Sequence, residues 1–145
     1  GAGFPMGAFV ANKKFAAAME PGDHGSTYGG NPMAGQACRT VFKILEDTKM
    51  IDHVQDISEY LIEKLDDLQE AFPCIKERRG LGLMIGLEFD KPVKDIVKTC
   101  LDLGLIVVTA GPHVVRMLPP FITTEKDVDQ AIAILKEAIE KNLKI

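Results

Sequence analysis

From residue 50 onward the apolar residues recur at two different periods, and the change from one to the other marks out the elements. Ile51, Val54, Ile57, Leu61, Leu65, Leu68 and Phe72 step by three and four, which predicts a helix from about 50 to 71 that Pro73 stops. In "GLGLMIGLEF", residues 80–89, the period becomes two: Leu81, Leu83, Ile85, Leu87 and Phe89 share one side, and Gly82, Met84, Gly86 and Glu88 share the other. That alternation predicts a strand with one bulky face and one almost bare. Pro92 then opens a helix carrying Val93, Ile96, Val97, Cys100 and Leu101, with Gly104 placed to close it in the left-handed conformation. "LIVVTA" and "VVRMLPP", on either side of "GPH", read as a hairpin ended by Pro119 and Pro120. Thr124, three residues before Asp127, is a candidate cap for a closing helix bearing Val128, Ala131, Ile132, Leu135 and Ile139. The order helix, strand, helix, strand, strand, helix is that of an α/β unit in which helices cover a small sheet.

The first third of the chain does not fit inside that unit. "GAGFPMGAFVA" predicts a loop feeding a short buried strand at about 6 to 11, after which Asn12 caps a short helix, "KKFAAAM", ending before Pro21 and Gly22. Pro32 suits a first helical position, and Ala34, Ala37, Cys38, Val41 and Leu45 then recur at helical spacing as a face of mostly small residues. Between these helices, and running on into the second, lies "GDHGSTYGGNPMAGQACRTVF", residues 22–42. Consecutive backbone N–H groups in a glycine-rich turn, with the hydroxyls of Ser26 and Thr27 beside them, suit a phosphate or carboxylate. The same residue types also make turns that bind nothing, their hydroxyls spent on local capping.

Composition narrows the field. A chain of 145 residues that is 46% hydrophobic can bury one sizeable core. A net charge of -4, with lysines scattered among acids, offers no field for a phosphate backbone, so nucleic acid is not an expected partner. No apolar run approaches the ~20 residues that span a bilayer and no signal core opens the chain, so a cytoplasmic protein without a membrane partner is expected. Cys38, Cys74 and Cys100 form no C-x-x-C pair; each is read as a small buried apolar residue, and no metal site is expected. Arg78 and Arg79 are placed on a solvated loop before the strand. Arg116 alternates with Val114 and Leu118, and a guanidinium flanked by apolar neighbours needs an anion, either a substrate carboxylate or a protein glutamate.

Four segments in order, "GAGFPMGAF", "GDHGSTYGGNPMA", "RGLGLMIGLEF" and "GLIVVTAGPHVVRMLPPFITTEKDVDQAI", give the chain a resemblance to the C-terminal part of the class III aminotransferases. The nearest branch is acetylornithine aminotransferase, with ornithine and 4-aminobutyrate aminotransferases as relatives. The resemblance implies the aspartate-aminotransferase-like fold, with residues 1–33 a remnant of the large domain, 34–49 a connecting helix and 50–145 the C-terminal small domain. It implies pyridoxal 5'-phosphate as cofactor, a homodimer with shared active sites, and N-acetylornithine and 2-oxoglutarate as substrates in arginine biosynthesis. Thr27 would then donate to the cofactor phosphate of the neighbouring subunit, Ser26 would face substrate, and Arg116 would lie at the active-site rim near a carboxylate. In such enzymes the lysine that bonds the cofactor lies just before the segment in which Gly1 falls. Lys13 and Lys14 do not match it, so the resemblance implies a fragment with no catalytic residue, inactive in isolation. The alternatives are a fragment of an ornithine or 4-aminobutyrate aminotransferase, or a noncatalytic module of small-domain type that acts by association.

Overall fold

The computed structural model describes residues 3–143, in two units that divide between Lys49 and Met50. Gly1 and Ala2, which begin the expected N-terminal loop, lie outside the described residues, as do Lys144 and Ile145. No helix among the described residues is long and apolar enough to cross a membrane.

In the first unit, α1 (Lys13–Ala16) starts where Asn12 accepts a hydrogen bond from the Phe15 amide at 3.2 Å. The strand expected at about 6 to 11 is absent. Those residues run without a ladder partner among the described residues, and Phe9 and Val10 are exposed. An extended backbone becomes a strand only when a neighbour takes up its N–H and C=O groups. Helix α2 (Pro32–Asp47) has the face read from its spacing: Ala34 is buried, and Ala37, Cys38, Val41 and Leu45 are half-buried while their helical neighbours are exposed.

In the second unit, α3 (Met50–Ala71) is followed by β1 (Ile75–Leu81), β2 (Met84–Phe89), α4 (Lys94–Asp102), β3 (Val108–Thr109), β4 (Val114–Met117) and α5 (Glu125–Leu143). The four strands form one antiparallel sheet in the order β1-β2-β4-β3. One face meets the helices: Ile85, Leu87 and Val115 join Leu61, Leu65, Cys100, Leu135 and Ile139 in a core whose side chains are almost wholly withdrawn from water. Each fully buried aliphatic side chain there contributes about 1.5–3 kcal/mol. Gly104, with φ +91°, ends α4 in the left-handed conformation. Thr124 and Asp127 cap α5 reciprocally, the Asp127 carboxylate accepting from the Thr124 amide at 2.9 Å and its hydroxyl at 2.7 Å.

Three further expectations are corrected. "GLGLMIGLEF" is not one strand: the chain reverses at Gly82 and Leu83, so that Leu81 pairs with Met84. Gly82, at φ +56°, supplies the left-handed backbone a two-residue hairpin turn needs. Leu81, assigned to the bulky face, is 90% exposed, whereas Leu83 is buried from the turn itself. Consequently Arg78 and Arg79 lie on an edge strand rather than a loop. The cysteines also divide: Cys100 is buried, while Cys38 and Cys74 are only partly so. Burial pushes the Cys100 thiol up to about 11, which keeps it protonated and unreactive at neutral pH.

Candidate functional site

The glycine-rich turn is organised by Asn31. Its side-chain oxygen accepts from the Ala34 amide at 2.9 Å, capping α2, while its Nδ2 donates to the Tyr28 carbonyl at 3.0 Å. One side chain thus ties the turn to the helix, and Pro32 follows at a position where an N–H would have no helical acceptor. The start of α2 is therefore satisfied from within the chain. Upstream, the Gly29 amide donates to the Ser26 carbonyl at 3.3 Å, closing a tight turn around Thr27 and Tyr28. A β-carbon at Gly29 would come to 3.0 Å from the Ser26 β-carbon, so a side chain there would crowd the turn and force it to shift by a few tenths of an ångström. Gly30 continues at φ +70°.

With the capping done by Asn31, neither the Ser26 nor the Thr27 hydroxyl makes a hydrogen bond among the described residues, and both residues are exposed. Local capping, the structural alternative for these two hydroxyls, does not occupy them. Ser26 lines a cleft of about 530 Å³ together with Pro5, Met6, Gly7, His24 and Asn31. Thr27 does not line this cleft. His24 packs its ring edge-on to Phe9, with centroids 6.0 Å apart, which accounts for it as a packing residue of the turn.

Arg116 belongs to the second unit. It lies on β4 directly opposite Gly86 of β2, on the sheet face away from the helices. It is exposed and forms no ion pair among the described residues. The glutamate nearest in register is Glu88, and its carboxylate takes a hydrogen bond from Arg79 Nη1 instead. Arg79 Nη1 also donates to Glu77 at 3.0 Å. Sequence reading missed this arrangement because it placed Arg79 on a loop. The signal was present in the alternation of Glu77 and Arg79, which puts opposite charges on one side of an extended segment.

The description "Aminotransferase class-III" belongs to the family whose profile matches residues 1–139. The chain belongs to the class III aminotransferases. Class III aminotransferases use pyridoxal phosphate, and an exposed threonine hydroxyl left free on a glycine-rich turn fits a phosphate acceptor: it donates to the anion without adding charge. The acetylornithine aminotransferase of Clostridium acetobutylicum is 43% identical over 141 residues, covering 97% of this chain and 36% of that protein. That of Bacillus subtilis is 40% identical over 139 residues, covering 96% and 36%. Among solved structures, ornithine aminotransferase from Plasmodium yoelii superposes with a TM-score of 0.81 at 27% identity, covering 91% of this chain and 36% of that one. The class III chain described here therefore spans about a third of the length of the curated relatives it matches.

Proposed function

We infer that these residues are the C-terminal part of an acetylornithine aminotransferase, a cytoplasmic homodimer that moves the terminal amino group of N-acetylornithine to 2-oxoglutarate. The observation that carries this reading is the 43% identity, over nearly the whole chain, to a protein of that activity. The partial coverage of those relatives supports a division of labour in which the remainder of the polypeptide supplies the lysine and most of the cofactor pocket.

When bound, pyridoxal phosphate supplies the electron-accepting ring that makes the exchange of an amino group feasible. The residues of this chain bind and orient. Thr27 donates its hydroxyl proton to the cofactor phosphate held mainly by a second copy, and its position outside the cleft that Ser26 lines supports an outward-facing role. Ser26 presents its hydroxyl to substrate from the wall of that cleft. Arg116, exposed and without a protein counter-ion among the described residues, pairs through its guanidinium fork with a substrate carboxylate. Neither hydroxyl moves a substrate proton; both hold groups in place while the reaction proceeds elsewhere.

The test is an assay of the intact polypeptide carrying these residues, with N-acetylornithine, ornithine and 4-aminobutyrate compared as donors to 2-oxoglutarate. N-Acetylornithine is expected to give the highest kcat/KM. Preference for either other donor, or purified protein without a pyridoxal chromophore, overturns the assignment. Thr27→Ala is expected to weaken cofactor retention by roughly tenfold, the scale of one hydrogen bond to a charged group.

A further inference from the structure

Residues paired across an antiparallel ladder share a face, so the register places Arg79, Gly86, Arg116 and Val108 in a single row across the four strands. The adjacent row carries Glu77, Glu88 and Val114. Glu88 is thus the diagonal neighbour of both arginines: it stands one row from Arg79 on β1 and one row from Arg116 on β4. Diagonal positions lie roughly 7–8 Å apart, a span that glutamate and arginine side chains bridge. Between the two arginines stands Gly86, which has no side chain to screen one from the other.

Glu88 therefore has two guanidinium groups within reach, and the structure shows which one holds it. Arg79 bonds Glu88 and Glu77 together, and its own charge is held more firmly by the hydrogen bond to Glu88. Arg116 is left exposed, with no carboxylate bound to it among the described residues. An arginine flanked by an available glutamate would normally be neutralised by it, and an incoming carboxylate would have to displace that partner first.

We propose that Arg79 is a positioning residue for Arg116: by capturing Glu88 it keeps that carboxylate off the neighbouring guanidinium, which stays open to the carboxylate of a dicarboxylate substrate. The inference rests on the reading that Arg116 binds substrate. It adds that the sheet carries a built-in competitor for that site and the residue that restrains it. No bond is made or broken, and only the counter-ion of Arg116 changes.

The experiment is calorimetric titration of the full-length, cofactor-loaded enzyme with glutarate, a dicarboxylate that has no keto group and cannot react. Arg79→Met frees Glu88 and is expected to weaken glutarate binding about fivefold, the scale of an exposed ion pair. Adding Glu88→Gln to that variant removes the competitor and restores the affinity, an outcome that mere loss of structure would not produce. Arg79→Lys, which keeps a cation against Glu88, retains binding. Unchanged affinity in Arg79→Met, or a loss that Glu88→Gln does not repair, overturns the proposal while leaving the carboxylate site standing. Arg116→Gln separates the two ideas: if it leaves glutarate affinity unchanged, Arg116 does not bind substrate, and both fall together.

Discussion

Arg78 grips Asp66 through two parallel hydrogen bonds, Nε to Oδ1 at 2.6 Å and Nη2 to Oδ2 at 3.1 Å. Asp66 lies on α3 and Arg78 on β1, so the pair fastens the outermost strand to the helix beneath it. The Arg78 side chain is 23% exposed, dry enough for the paired geometry to matter more than in a freely solvated ion pair. Asp66→Ala leaves that guanidinium without its partner. The expected loss of stability is ~1 kcal/mol, read as a lower midpoint in denaturant titration; an unchanged midpoint would mean the fork contributes nothing to holding β1.

Two glycines of the same sheet differ in how much they resist a side chain. At Gly80 the backbone has φ +148°, and a β-carbon would lie 2.1 Å from the Met84 carbonyl oxygen across the hairpin. At Gly86 the nearest atom is Val114 Cγ1 at 3.2 Å, a contact that a shift of a few tenths of an ångström relieves. Gly80→Ala is expected to cost on the order of 1–3 kcal/mol from backbone strain alone, and Gly86→Ala clearly less. Denaturation of the two variants side by side checks the order, and equal losses would contradict the hairpin geometry.

Asp127 gives the α5 cap a pH dependence. The Thr124 hydroxyl, and then the Thr124 amide, hold its carboxyl below the usual aspartate range. A carboxyl depressed in the folded state contributes stability that is fully present above its unfolded value, about 4. That contribution is lost as pH falls through the lower folded value. The difference in Tm between the parent and Asp127→Asn is therefore expected to be largest near pH 6 and to shrink steadily below pH ~4. A difference that grows on acidification would show the sign to be wrong.

The helices were legible because their apolar residues repeat. Ile57, Leu61, Leu65 and Leu68 are buried along α3, at the positions that steps of three and four select. Strand β1 was not legible. In "IKERRGL" only Ile75 is buried, because an edge strand needs one neighbour and because Arg78 meets α3 through an ion pair rather than an apolar contact. The alternation through "GLGLMIGLEF" misled for a related reason: period two continues across a two-residue turn, so the pattern alone does not say where the chain reverses. At the turn before α2, glycine, serine and threonine were visible as a group suited to an anion. That Asn31 would cap the helix, leaving Ser26 and Thr27 with free hydroxyls, was not visible, since asparagine, serine and threonine compete for the same cap.

The linear pattern by itself determined the three long helices of the second unit, the closing hairpin of β3 and β4, and the motif order that marks a class III aminotransferase, because each of these depends on neighbours along the chain. Only the tertiary structure decided that Arg79 and not Arg116 holds Glu88, that Arg78 reaches Asp66, and that the sheet has a further strand. Those outcomes depend on register between strands, which brings together residues that no local period relates, and a charge finds its partner only after that register has been set.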